Sequence, residues 1–339
     1  MRRNKLIWQL PFLAILIVGT VLIIMQQRNM PYQKIHGEVF GTFYNIIYQS
    51  DEDLKSEIDS ALKEVDESLS PFNEHSIITK VNNNQPTKVN EMFTEVFRIS
   101  EKVSKETDGA FDITVAPLVN LWGFGFKQGE NPEKHVIDSL LQFVGYDKVT
   151  LKDGLVVKQD PRVMLDCSAV AKGYGSDVVA SVLRRHGVTN FMVEIGGEIV
   201  TSGISEKRLP WRIGVNRPNE DPLQTSQEIE VVLNVTDKAM ATSGNYRNFY
   251  YKDGKRYAHT IDPKSGSPVE HSLLSATVLA SDCATADAYA TSFMVMGLEG
   301  AKKVLARHPE LMGYFIFSDE EGNYQVWYSE SLKGKIIDG

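Results

Sequence analysis

Apolar residues change their spacing several times along the first third of the chain. From Leu6 to Met25 they run almost unbroken, interrupted by Gln9, Pro11, Gly19 and Thr20. Twenty residues of helix reach roughly 30 Å, about a bilayer core, so this run predicts a membrane-spanning helix over about 6–25. From His36 to Tyr48 the residues alternate and are rich in aromatic and β-branched types, the pattern of a strand. Over Asp51–Leu69 the apolar positions Leu54, Ile58, Ala61, Leu62, Val65 and Leu69 take helical spacing. A second amphipathic helix spans Asn90–Thr107 and is closed by Asp108-Gly109.

Further along, Val156–Met164 reads as a strand and Ser168–His186 as a helix. In that helix Val170, Tyr174, Val178 and Val182 recur every fourth position. Arg184, Arg185 and His186 suit its negative end, and Gly187 stops it. Strands are expected over Phe191–Val200, Trp211–Asn216, Glu228–Asn234, Asn248–Tyr251, Arg256–Ile261 and Leu274–Leu279. Helices follow over Thr285–Met296 and Leu298–Arg307, joined near Gly297, and Gly313–Phe317 with Tyr324–Tyr328 closes the chain as a hairpin. The strands come in runs rather than in strict βαβ alternation. That predicts an α+β fold with a mainly antiparallel sheet flanked by helices. The expected organisation is an anchor at 1–28, a polar linker at 29–35 and one domain over 36–339.

Charge narrows the function. The chain has 339 residues, a net charge of −8 and a pI near 5.5. This balance excludes nucleic acid as the main partner, because phosphate backbones need a basic footprint. Arg2, Arg3 and Lys5 precede the apolar run and predict that the N-terminus stays in the cytoplasm. The expected place of the body is then the extracytoplasmic (periplasmic) side of the inner membrane, on a single-pass anchor. A cleaved signal peptide is the competing reading; it needs a shorter apolar stretch and a small-x-small site. The only cysteines are Cys167 and Cys283, which read as buried free thiols rather than a disulfide framework.

Five segments carry residues suited to chemistry. Asp166-Cys-Ser-Ala-Val-Ala-Lys172-Gly lies where a strand gives way to a helix, and a helix N-terminus attracts phosphate. The bland alternative is that Asp166 or Ser168 caps the helix and Lys172 is solvated. Asp287 and Thr291, at i and i+4, put two hard oxygen ligands on one helix face; an alanine-lined packing face is the alternative. His259 precedes Asp262-Pro-x-x-Gly266, where Asp262 has a ready role in a turn; His259, at a strand end, is suited to general acid–base work, a structural histidine being the alternative. Gly109-Ala-Phe-Asp112, with the aromatic and glycine run after it, suits either a flat ring ligand or a core. Glu194-Ile-Gly-Gly-Glu198 permits close backbone approach at a strand end.

Together and in order, these segments resemble the ApbE family of FAD:protein FMN transferases. The resemblance runs from about His36 to beyond Gly297. It rests on Gly41-Thr-Phe-Tyr44, Gly109-Ala-Phe-Asp112 with Pro117-Leu118, and Asp166 to Gly173. It rests equally on Glu194 to Glu198, Ser243-Gly-Asn-Tyr246, His259-Thr-Ile-Asp-Pro263 and Asp287-Ala-Tyr-Ala-Thr291. It implies a T-fold-like domain with FAD, the substrate, in a cleft. Mg²⁺ would be held by Asp287, Thr291 and the carbonyl of Ala169. Phe40, Phe72, Ala110, Phe111 and Asp112 would contact the flavin and ribityl chain, with Asp166, Lys172 and Ile261 completing the site. His259 is expected to act as base and Asp262 to orient it.

Phe40 stands where the family commonly has Met. Ala290 stands where some relatives carry a further acidic metal ligand, which argues against a second metal. The implied reaction places FMN on a threonine of a target protein and releases AMP. Expected targets are flavin-carrying subunits of sodium-translocating or related membrane electron-transfer complexes (NqrC/RnfG-like). The alternatives are an FAD pyrophosphatase and a flavin-binding protein without turnover. A shared metal would also bring the Cys167 and Cys283 segments together, which raises a disulfide between them as an alternative to free thiols.

Overall fold

The computed structural model describes residues 11–22, 25, 30–124, 132–218, 228–245, 249–252, 255–258 and 260–337. Its centre is an eight-stranded sheet whose spatial order follows the chain: β1 (Tyr32–Val39), β2 (Thr42–Gln49), β3 (Phe191–Ile195), β4 (Glu198–Ser202), β5 (Ala239–Gly244), β6 (Leu273–Ala280), β7 (Met312–Ser318) and β8 (Tyr324–Tyr328). Every neighbouring pair is antiparallel. The helices α1 (Lys55–Leu69), α2 (Glu91–Glu106), α3 (Ser168–Arg185) and α4 (Cys283–Arg307) complete the main frame.

The period-2 alternation of the strands divides the core. On β5, Ala239 and Ala241 join the helical side. Met240 joins a cluster with Ile199, Leu279, Tyr314 and Ile316 on the other side. That second side is covered by a three-stranded sheet of Trp211–Asn216, Ile229–Val235 and Ile336–Ile337. α2 is amphipathic as its spacing predicts: Phe93, Val96, Phe97 and Val103 are buried, and the Asn90 side chain accepts the Phe93 N–H at 3.0 Å as N-cap.

Two expected single strands are hairpins. His36–Tyr48 turns at Phe40-Gly41, with φ of 52° and 70°, so that β1 pairs with β2. Phe191–Val200 turns at Gly196-Gly197, with φ of 62° and 104°, giving β3 and β4. Val156–Met164 is strand only over Leu155–Lys158, paired with Val149–Lys152. α4 runs as one element interrupted at Gly297, whose φ of 70° and ψ of 178° break the helix where the sequence places the joint.

Both cysteines are buried and free, so the disulfide alternative is not met. Among the described residues no helix is long and apolar enough to cross a membrane. The described part of the first apolar run is helical over 11–22, with Phe12, Ile15, Leu16 and Val18 exposed. The rest of that run, residues 6–10 and 23–24, lies outside the described residues, as does His259.

α3 and α4 cross very closely at Gly173. A Cβ placed there would lie 2.4 Å from the Cys283 carbonyl oxygen and 2.9 Å from Cβ of Asp287. Backbone cannot rotate away as a flexible side chain can. Gly173→Ala should therefore cost about 1–3 kcal/mol through forced separation of the helices. Chemical denaturation of the purified variant checks this, and an unchanged midpoint would contradict the close crossing.

Candidate active site

The two glycine turns and the starts of α3 and α4 converge on a cleft of about 890 Å³. One wall is apolar and aromatic: Phe40 from the β1–β2 turn, Phe72 from the loop after α1, and Ala110 and Phe111. Phe72 is 66% exposed at the rim. The polar part of the lining is Asp166, Ser168, Ala169 and Lys172 from the start of α3 and the segment just before it, Glu198 from β4, and Asp287 and Thr291 from α4. Ile261 is buried and lines the cleft beside Thr260.

Local structure explains each placement. Asp112 is buried and accepts the Thr114 N–H and the Thr114 hydroxyl, both at 2.7 Å, which closes a tight turn beneath the aromatic wall. Burial pushes the Asp112 pKa up against those bonds. α3 starts after Cys167 without a side-chain cap on that residue, and Asp166 accepts the Ser168 N–H at 2.8 Å. Asn82 holds the approach to this start: it donates to the Leu165 carbonyl at 2.8 Å and accepts the Leu165 N–H at 2.7 Å.

Lys172 is not a solvated surface lysine. Its Nζ lies 2.5 Å from Oε1 of Glu198, a carboxylate only 3% exposed. The second oxygen of Glu198 is buried without a hydrogen-bond partner among the described residues. Burial pushes the Glu198 pKa upward and Lys172 opposes it. For Lys172 burial works against the ammonium, but Glu198 and Asp287 outweigh it and hold its pKa above the ordinary value.

Asp287 is buried, and its Oδ2 accepts the Gly173 N–H at 3.1 Å. Burial raises its pKa, with Lys172 again opposing. The other oxygen ligands that the cleft lining offers beside this carboxylate are the Thr291 hydroxyl, on the same helix face, and the carbonyl of Ala169, one turn before Gly173 on α3. They are oxygens only, and no group of three His, Cys, Asp or Glu side chains suited to a metal occurs among the described residues. Such a sparse hard set fits Mg²⁺, which keeps waters and substrate phosphates in its shell, better than a metal caged by protein alone.

The cleft therefore gathers Phe40, Phe72, Ala110, Phe111, Asp112, Asp166, Ala169, Lys172, Ile261, Asp287 and Thr291. It does not gather Asp262. The Asp262 carboxylate accepts the Lys264 N–H at 2.9 Å and its carbonyl accepts the Gly266 N–H at 2.8 Å, so the residue closes its own turn. Glu198 is the main residue absent from the expected set; its signal was the second acid of Glu-x-Gly-Gly-Glu. Thr242, Ser243 and Gly244 also line the cleft from β5.

Residues 40–315 match the model of the ApbE family. A Vibrio cholerae protein named FAD:protein FMN transferase is 34% identical over 325 residues, spanning 92% of this chain and 96% of its own. A Haemophilus influenzae protein of the same name is 35% identical over 315 residues, spanning 87% of this chain and 89% of its own. The flavin transferase ApbE from Vibrio cholerae superposes with a TM-score of 0.81 at 35% identity, over 90% of this chain and 99% of that one. The Pseudomonas stutzeri flavinyl transferase ApbE gives 0.81 at 28% identity, over 91% and 98%. With this likeness extending over most of its length and its ordered segments converging on one cleft, the chain belongs to the ApbE family.

Proposed function

We propose that this chain is an FAD:protein FMN transferase, which moves the FMN part of FAD onto a threonine hydroxyl of a target protein and releases AMP. The observation that carries this reading is the lining of one cleft, which combines the aromatic rings of Phe40, Phe72 and Phe111 with Lys172 and the start of α3. The first suits a flat isoalloxazine ring; the second suits a pyrophosphate. The names of the relatives agree with this assignment.

Asp287, Thr291 and the Ala169 carbonyl would hold Mg²⁺. When bound, Mg²⁺ neutralises charge on the pyrophosphate and on the leaving group. Lys172 supplies a fixed positive charge toward the same phosphates, and Glu198 fixes its direction. The acceptor hydroxyl attacks the phosphorus on the riboflavin side. A new P–O bond forms there, the bond to the bridging oxygen breaks, and AMP leaves with that oxygen. The hydroxyl proton passes to a base, for which His259 is our assignment.

An N-terminal anchor over about 6–25 would hold the domain on the extracytoplasmic side, beside flavin-carrying subunits of membrane electron-transfer complexes. The apolar run and its basic flank support this.

The test is incubation of the full chain with FAD, Mg²⁺ and a flavin-carrying subunit. AMP should appear only as the subunit becomes covalently fluorescent. AMP with free FMN points instead to a pyrophosphatase, and flavin binding without AMP to a carrier. His259→Ala should keep FAD binding and slow transfer by about 10²–10⁴-fold; a normal rate would remove it from the mechanism.

A further inference from the structure

α3 and α4 exchange hydrogen bonds in a reciprocal pattern. Asp287 on α4 accepts the Gly173 N–H of α3 at 3.1 Å. Asp177, one turn after Gly173, accepts in return from the first turn of α4. The Cys283 N–H lies 2.8 and 2.9 Å from its two oxygens, and the Ala284 N–H lies 2.8 Å from Oδ2. Each helix thus offers a backbone N–H at one position and a carboxylate four residues later, and each carboxylate takes the N–H of the other helix. α4 already has an N-cap, since Asp282 accepts the Thr285 N–H at 2.9 Å. Asp177 satisfies N–H groups that the local cap leaves over.

Where this clasp sits gives it a consequence. By the i to i−4 repeat of a helix, the Gly173 N–H is the one directed at the Ala169 carbonyl. One donor therefore stands between the two groups that would share a metal. With no Cβ at Gly173 the helices lie at backbone contact, so a small shift of α4 moves Asp287 relative to Ala169 directly.

We propose that Asp177 is a positioning residue: by fixing the first turn of α4 against α3, it sets the height of Asp287 and thereby the geometry of the cation site. It touches neither substrate nor metal. Asp177 is absent from the residues that line the cleft. The inference rests on the reading that Asp287 holds Mg²⁺.

Asp177→Asn is the test variant, because it keeps size and one acceptor but replaces the second oxygen with a donor. Asp177→Glu is run beside it and carries the comparison should the first fail to fold. Three quantities are read: amide exchange at Cys283 and Ala284, the Mg²⁺ concentration for half-maximal transfer, and FAD affinity in EDTA by flavin fluorescence. Exchange should quicken about tenfold and the half-saturating Mg²⁺ should rise about tenfold, the scale of one charge-assisted hydrogen bond. Saturating Mg²⁺ should restore the rate, and metal-free FAD affinity should hold within about twofold.

Unchanged exchange would show that Asp177 does not hold α4. Faster exchange with an unchanged Mg²⁺ response would show that the clasp does not set the site. Loss of metal-free FAD binding in step with the Mg²⁺ effect would reduce Asp177 to a general structural role. Failure of the metal reading itself shows separately, as unmodified protein whose transfer is indifferent to EDTA.

Discussion

Asp287→Ala is expected to lower FMN transfer about a thousandfold, the rate equivalent of roughly 4 kcal/mol, which is the scale of charge stabilisation a bound cation supplies. The fold should survive. The carboxylate is buried, and burial already raises its pKa, so its charge is held at a cost in the absence of a cation. What the variant loses structurally is the acceptor of one N–H, that of Gly173, worth about 1 kcal/mol. Asp287→Asn separates the two roles. Its amide oxygen can still accept the Gly173 N–H, so stability should return while transfer stays low. Turnover of either variant equal to the parent's at limiting Mg²⁺ would remove Asp287 from the cation site.

Lys172→Met should have the second large effect, on stability and activity together. It leaves the Glu198 carboxylate buried without its ammonium partner. Breaking a buried pair by removing one partner costs about 3–5 kcal/mol. The lysine side chain is 32% exposed, so the lower end applies. Glu198→Gln is milder, because it removes the charge that needs a partner and frees the ammonium. The double variant should recover much of the stability lost in Lys172→Met but none of the transfer, because the cation facing the phosphates is still absent. Urea unfolding and the KM for FAD report the two losses separately. A Lys172→Met midpoint equal to the parent's would mean that the ion pair does not help to hold α3 against β4.

Which features were legible from sequence follows from how locally each is encoded. α2 and α3 were legible because their apolar spacing and their stops, and for α2 its Asn90 cap, are encoded locally. The break of α4 at Gly297 was legible for the same reason. The hairpin turns at Phe40-Gly41 and Gly196-Gly197 were not, because apolar residues continue across them and hide the reversal. β5 was invisible as a strand: Ala239-Met-Ala-Thr-Ser-Gly has small side chains, and burial between two layers rather than propensity makes it extended.

The site divides likewise. Motif order grouped Asp166, Lys172, Asp287 and Thr291, and all four line the one cleft. Pairing of Lys172 with Glu198 was not readable, because it joins a helix to a strand that the unseen turn positions. Asp262 was expected to orient His259; the bonds it shows belong to the Asp-Pro turn, and His259 lies outside the described residues.

Transfer of FMN to a protein hydroxyl is read from the mass of the acceptor. After incubation with the full chain, FAD and Mg²⁺, the flavin-carrying subunit should gain one FMN less one water on a threonine, with one AMP released per acceptor labelled. AMP and free FMN accumulating while the acceptor mass stays unchanged would show hydrolysis of FAD in place of transfer.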